Sequence, residues 1–507
     1  MNGHDAPEHK PVWSKRTGGM PSEINIIYTA GRDVKAKPAA DELLIPYDIW
    51  TNRAHCLMLH KQRIISPDIA RKILGSLEKI SSLYLKNQFH LDPHLEDVHI
   101  NIETFIAEDV GEEVAGWLHT ARSRNDQSTT DVRLYVRDCL LQKIEGCQDL
   151  LECLIEEAGR YRDAIMPGLT HLRFASLTTW AHYLLSYAAA LERDLSRLER
   201  AYDMINQSPL GAVASYGTSW NIDRQYTAQL LGFNRIQTNT IDCLTNRWEF
   251  EAEAAVAMAF LMNHVSIMCE DLLIFSLPTM EMVEIDDRFV TGSSVMPQKQ
   301  NFDYAEVIRA KASLIHGMVQ ALWGIGKGVT SGYNRDEQWT KFIIIDIFDE
   351  ARYSTRLLRD IISSLKIKRP AMAAIAEKGF LNAVEAADFV AQRYALPFRT
   401  AYRAMANAVK QSSAEGILSL ENVNLSLQEE GLRIKITKKE WSQIVNLQEI
   451  IKKKKHNGAC APEAIDEHRL SLSSVLEQHK KWFTDNTRLL NRSKRFLKEQ
   501  IKAILVV

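Results

Sequence analysis

Residues 292–301 read Gly-Ser-Ser-Val-Met-Pro-Gln-Lys-Gln-Asn, placing two adjacent hydroxyls, Ser293 and Ser294, in the same short run as a cation, Lys299. Gly292 permits backbone angles closed to other residues, and Pro297 restrains the chain just before the lysine. Such a segment can bend over a substrate. If it folds back on itself, Lys299, six residues after Ser293, can stabilise either a serine alkoxide or a substrate carboxylate. A Ser/Gly loop carrying one solvated lysine meets the same composition, so the decision rests on the rest of the chain.

Two further segments carry reactive residues at close spacing. Residues 119–127 read His-Thr-Ala-Arg-Ser-Arg-Asn-Asp-Gln and residues 168–173 read Gly-Leu-Thr-His-Leu-Arg. With the serine loop, and in this order, they resemble the three signature regions of the fumarase/aspartase superfamily. The Ser-Arg-Asn-Asp-Gln run, and Gln298 before Lys299, resemble its argininosuccinate lyase branch. The likeness extends from about Leu95 to Arg399, and weakly to residues 457–462.

That resemblance implies a reaction. A lyase of this kind takes a proton from the carbon beside a carboxylate and expels nitrogen from the next carbon, leaving fumarate and an amine. The intermediate carries added negative charge on the carboxylate, so fixed cations and donors must face it. By resemblance Ser293 is the base, with Lys299 and backbone amides as candidates to stabilise its anion. His171 takes the place of the family histidine that protonates the departing nitrogen, directly or through water; a lone histidine of this kind would otherwise be read as packed against its own loop. Arg124, Asn125 and Thr170 would hold carboxylate oxygens, Arg124 by a two-pronged contact, while Arg122 supports the loop. Tyr333, Gln338 and Lys341 match substrate-contacting residues, as do Asn301, Ser294 and Asp97 of the run Glu96-Asp97-Val98-His99.

The departures from the family pattern fall where the leaving amine would be recognised. Gln300-Asn301-Phe302-Asp303 replaces the usual Lys-Asn-Pro-Asp, Leu172-Arg173 replaces Leu-Gln, Phe174-Ala175-Ser176-Leu177 replaces Arg-Ala-Gln-Pro, and residues 15–20 lack the N-terminal Gly-Gly-Arg-Phe pattern. None removes a proposed catalytic group. Argininosuccinate is therefore the default substrate, and an aminopolycarboxylate such as ethylenediamine-N,N'-disuccinate stands nearly level with it, because Arg173 adds a cation suited to an extra carboxylate. The rival reading is a catalytically weak structural or binding homologue resembling the delta-crystallins.

Long elements must carry these segments. Apolar residues recur at three- and four-residue spacing over 131–161, 177–206 and 247–276, which predicts long helices. The last is apolar on more than one face and needs partners all round. Residues 209–224 break the pattern and read as a long loop or short hairpin, 279–301 is a second break, 432–436 alternates enough for a short strand, and the basic run 452–455 reads as a solvated helix end or loop. The expected fold is all-α, with the three-domain architecture the resemblance implies: an N-terminal helical domain (1–122), a central long-helix bundle (123–368) with a flexible catalytic loop near 280–303, and a small helical C-terminal domain (369–507).

With 507 residues, a net charge of -2 and 46% hydrophobic residues, no electrostatic footprint points to nucleic acid or an anionic membrane. The chain is expected to act on small molecules, without a metal or other cofactor. Resemblance also implies a homotetramer whose core is the helix bundle. Seven cysteines without a Cys-x-x-Cys pair, and a polar first 20 residues, fit a cytoplasmic enzyme.

Overall fold

The computed structural model describes residues 22–412 and 416–506, so the departure at residues 15–20 and the polar N-terminal stretch lie outside the described residues. Five helices set the frame for the site: α1 (Ile45–Lys61), α2 (Pro67–Leu85), α3 (Val98–Val110), α4 (Arg124–Arg160) and, after a hairpin, α5 (Trp180–Ile205). The expected helix over 131–161 begins seven residues early because Ser123 and Asp126 close a capping box around its first turn. The motif Ser-Arg-Asn-Asp is thus itself a helix start. The helix expected from residue 177 begins at Trp180 instead, because 173–179 is a strand and Thr179 caps the first turn of α5.

Strands β1 (Ile165–Thr170) and β2 (Arg173–Thr179) pair antiparallel, with Thr170 opposite Arg173 and an irregularity between Pro167 and Leu169. The other strands are two residues long. β3 (Gln207–Ser208) pairs parallel with β4 (Arg235–Ile236), β5 (Val283–Glu284) antiparallel with β8 (Lys366–Ile367), and β6 (Thr291–Gly292) antiparallel with β7 (Gln300–Asn301). Between them run α6 (Arg224–Leu231), α7 (Arg247–Phe275), α8 (Asp303–Gly326), α9 (Thr340–Ala351) and α10 (Ser354–Ser364).

Helices α4, α5, α7 and α8 pack side by side on one continuous apolar core. α7 is long and apolar enough to cross a membrane by composition, yet most of it lies inside the protein. Its small residues Ala254, Ala255, Ala257 and Ala259 let neighbouring helices approach closely. Even so, Phe260 and Ile267 of α7 and Leu314 and Trp323 of α8 remain between 44% and 49% exposed.

Beyond residue 368 lie α11 (Arg369–Ala376), α12 (Ala383–Arg393), α13 (Phe398–Gln411), α14 (Leu420–Glu429), α15 (Leu447–Lys453) and α16 (Pro462–Leu505). A separate small core runs from Ala386 to Ile444. The 44-residue α16 leaves it and lies along α4, α5 and α6, where Trp482 meets Tyr202 edge-on and Arg469 Nε donates to Ile155 O at 2.9 Å. Residues 432–436 form no strand. Asn424 takes the place of a partner strand there, accepting from Ile436 N at 2.7 Å and donating to Ile436 O at 3.1 Å.

Asp126 fixes the start of α4 to the loop beyond α5. It is fully buried; one oxygen accepts from Ser123 N at 3.1 Å, the other from Gly211 N and Val213 N, both at 2.8 Å. Burial pushes its carboxyl up to about 6 against these three donors, which leaves it anionic at neutral pH. An amide would turn an N–H toward at least one of them. Asp126→Asn should therefore lower stability by at least about 1 kcal/mol, the lower bound for a buried donor left unmet, in a denaturant-unfolding comparison; an unchanged midpoint would show that the loop is held by other means.

Candidate active site

The first end of α4 carries two of the residues expected to hold carboxylate. Arg124 and Asn125 occupy the first two helical positions, where backbone N–H groups have no helical acceptor and the helix dipole is positive. Arg124 Nη1 donates to Asp97 Oδ2 at 2.9 Å and lies 3.5 Å from Glu96. Asp97 Oδ1 accepts from Ile100 N at 2.9 Å and so caps α3. Arg122 is buried and donates to Asn52 Oδ1 at 2.6 Å, in keeping with a role in holding the loop.

The segment 333–341 lies against this end, with Arg335 3.6 Å from Glu96. Ser215, whose φ of 85° is left-handed, accepts from Tyr333 N at 3.0 Å, and Gly332 N donates to Thr245 Oγ1 at 2.7 Å. Lys341 is buried and paired with Asp41, whose second oxygen accepts from Val98 N at 3.1 Å. Asp41 therefore ties Lys341 to the residue after Asp97. Gln338 is half-buried in the turn between Tyr333 and Lys341.

Sequence reasoning misses the charged layer beneath. Asp48, fully buried, accepts from His99 Nδ1 at 2.8 Å, Gln127 Nε2 at 2.5 Å and Asn52 Nδ2 at 2.8 Å. Burial opposes a charged His99, and Asp48 outweighs it, holding the imidazole above its ordinary value. Glu337 is also wholly buried; desolvation pushes it up to about 8, with Arg247 pulling back and Glu251 adding to the rise. His99 stands in the run 96–99 and Glu337 in the run 333–341, so proximity to named residues is the available signal.

His171 lies elsewhere. With Leu172 it forms the two-residue turn between β1 and β2, and both are left-handed at φ 52° and 57°, the geometry of a hairpin turn whose twist matches its strands. Thr170, His171 and Arg173 are exposed at this tip. Neither the His171 ring nor the Arg173 guanidinium has a hydrogen-bond or ionic partner among the described residues.

Residues 293–299 are the tip of a second hairpin. β6 and β7 pair Gly292 with Gln300, so Ser293 and Lys299 are the first and last residues of the loop on either side of its mouth. Thr291 Oγ1 donates to Asp303 at its base, and Gln300 Nε2 donates to Asp287 at 3.1 Å. Ser293 Oγ accepts from Val295 N at 3.3 Å and from Met296 N at 3.0 Å. Ser294 and Lys299 are exposed, Asn301 is half-buried, and Lys299 has no acidic partner among the described residues.

The structure thus joins Arg124 to Asp97 and, through Asp41, ties Lys341 to the start of α3, with Tyr333 and Gln338 earlier in the same segment; among the described residues neither the His171 nor the Ser293 side chain makes a hydrogen bond or ion pair to these groups. α4 has 37 residues, about 55 Å of helix at 1.5 Å per residue. Arg124 begins it, and the hairpin carrying His171 comes after its far end.

The Lyase family model matches residues 42–317, and the argininosuccinate lyase C-terminal model matches residues 380–452. The argininosuccinate lyase of Thermus thermophilus is 37% identical over 458 residues, covering 90% of this chain and 96% of that protein. That of Herminiimonas arsenicoxydans is 35% identical, covering 91% and 98%. Among solved structures, an EDDS lyase variant with bound fumarate superposes at a TM-score of 0.88 with 23% identity, covering 98% of this chain and 99% of the other. A class II fumarase from Schistosoma mansoni does so at 0.69 with 15% identity, covering 85% and 95%. At these identities the structural likeness is one of fold, the helical multi-domain fold that the sequence leads one to expect. The sequence matches carry more, and by them the chain belongs to the argininosuccinate lyase family of carbon–nitrogen lyases.

Proposed function

We propose that this lyase reversibly releases fumarate from an N-substituted aspartate, with Ser293 as the base and His171 as the proton donor to the leaving nitrogen. The observation that carries this reading is the pair of backbone N–H groups, from Val295 and Met296, converging on the Ser293 hydroxyl oxygen. A serine hydroxyl is a poor base in water. Fixed donors aimed at its oxygen favour the anion, and Lys299 across the loop mouth adds a cation.

The alkoxide takes the proton beside the substrate carboxylate, and the added charge passes onto that carboxylate. Arg124, Asn125 and the start of α4 would hold it, with Thr170 contributing a hydroxyl. As the carbon–nitrogen bond breaks, His171 supplies a proton to the nitrogen and the double bond of fumarate forms. These steps use side chains and substrate alone.

The same reading needs more than one subunit. Arg124 and the His171 hairpin sit at the two ends of a rod of about 55 Å, whereas the seven residues of β2 span about 23 Å at ~3.3 Å each. A homotetramer, with each site at a junction of three subunits, would bring the groups together and cover Phe260, Ile267, Leu314 and Trp323. Argininosuccinate is the default substrate. Arg173, exposed and without a partner among the described residues, stands beside the proposed acid and keeps an amine bearing extra carboxylates, such as ethylenediamine-N,N'-disuccinate, nearly level with it.

Ser293→Ala should lower fumarate formation, followed by its absorbance, by ~10²-fold or more while substrate still binds, the scale of general-base catalysis; retention of more than about a tenth of turnover would remove Ser293 from the role. Shared sites give a second expectation. Ser293→Ala and His171→Asn proteins, each poorly active, should recover activity when denatured and refolded together, and a monomer by light scattering would refute the shared site. For the amine, Arg173→Gln should cut the preference for a two-succinyl amine over argininosuccinate by ~1.5–3 kcal/mol in kcat/KM, the range for hydrogen bonds to charged groups. An unmoved ratio would assign Arg173 to the hairpin alone.

A further inference from the structure

The basic run 452–455 reads as solvated from its sequence, and Lys454 is not. Its side chain is 26% exposed, and Nζ donates to Ser176 Oγ at 2.9 Å and to Leu177 O at 2.9 Å while pairing with Glu385 at 2.8 Å. Ser176 Oγ in turn donates to the same Glu385 oxygen at 3.2 Å. All three ammonium protons are engaged. Ser176 and Leu177 belong to β2, the strand that leads back from His171, and Glu385 belongs to α12 of the small C-terminal core.

An isolated two-stranded hairpin is marginally stable in water, so the pose of its tip depends on what grips its base. That grip comes largely from the C-terminal part of the chain. Ile165 and Leu177 pack with Ala376, Leu381, Ile450 and Ile451, and α11 and α15 are the helices laid against the two strands. His182, just inside α5, donates from Nε2 to Gly458 O at 2.9 Å while Nδ1 shares a 2.8 Å hydrogen bond with Thr178 Oγ1, a second tie to the segment holding Lys454. Ser176 lies three residues beyond Arg173, about 10 Å along the strand from the tip. A rotation at that point is carried to His171 by the backbone ladder.

Resting on the reading of His171 as proton donor, we infer that Lys454 is a positioning residue for it, holding β2 to the C-terminal core so that the imidazole meets the leaving nitrogen. Ser176 is one of the residues in which this chain departs from the family pattern, so the lysine's grip on the strand belongs to this chain's own hairpin. The match to the argininosuccinate lyase C-terminal model ends at residue 452, two residues before Lys454.

The test is a double-mutant cycle on the full-length protein, read as fumarate formation. Lys454→Met should lower kcat by ~10- to 100-fold, the cost of displacing a catalytic group by about 1 Å, with KM little changed and with partial rescue in Lys454→Arg. In a His171→Asn background the same change should cost less than about threefold, because contacts that act through one group do not add. The Lys454→Met loss should also shrink as the amine becomes less basic. Equal losses in both backgrounds, or across amines of different basicity, would overturn the inference and leave Lys454 a structural contact. If Lys454→Met does not fold, Ser176→Ala carries the same cycle. A wild-type protein that forms no fumarate from any N-substituted aspartate would remove the underlying reading and this inference with it, an outcome distinct from an additive cycle in an active enzyme.

Discussion

An unbroken helix of 37 residues sets the spacing on which the proposed site depends. α4 is capped at Ser123, holds Arg124 and Asn125 at its positive end, and runs about 55 Å before the chain enters the His171 hairpin. No side chain spans that distance. The residues proposed to hold carboxylate and those proposed to move the proton to nitrogen thus flank one long helix, and the proposed site would be completed by rods from other copies laid alongside. The partly bare flanks of α7 and α8, with Phe260, Ile267 and Trp323 exposed, are where such rods would lie.

The start of α4 is held by buried charge as well as by apolar packing. Asp126, Asp48 and Lys341 each meet partners inside the protein. Pairs of this kind contribute little net stability, because desolvating the charges offsets their attraction. Removing one partner is costly all the same, since the other is left buried alone. What the arrangement secures is direction. Asp48 fixes the faces of His99 and Gln127, Asp126 fixes the loop at Gly211 and Val213, and Asp41 links Lys341 to the start of α3, so that the exposed groups above inherit one geometry.

The long helices are legible in the sequence because a buried helix stripe repeats every three to four residues over tens of residues, and α4, α5 and α7 keep close to the expected spans. The serine loop is legible as a loop from Gly292 and Pro297. The hairpin is not, and the reason is local. Its turn is His171-Leu172, with neither Gly nor Asn to announce positive φ, and Leu169 to Phe174 show no clean alternation. Segment 432–436 errs the other way: its alternation is real, but Asn424 answers its backbone in place of a strand. Lys454 escapes a sequence reading because its partners, Ser176, Leu177 and Glu385, lie far away in the chain, and a charge run looks solvated until such partners are known. Asp126 and Glu337 escape it for a similar reason, since burial, the property that makes them unusual, is set by tertiary structure.

The unannounced turn bears on how the site works. Two consecutive non-glycine residues in the left-handed region cost about 1–2 kcal/mol each, and an exposed tip offers no burial to offset that. A conformation of this kind persists only where its surroundings over-determine it. Here the surroundings act from the base: the ladder from Ile165–Thr179 to Thr170–Arg173 sets the twist, the irregularity beside Gly168 bends it, and the contacts of Ser176 and Leu177 with Lys454 and Glu385 hold it to the C-terminal part of the chain. A tip strained and presented in this way keeps the His171 ring free of partners within the described part of its own chain. That is the state a group must be in if it is to give its proton to a nitrogen held by another subunit.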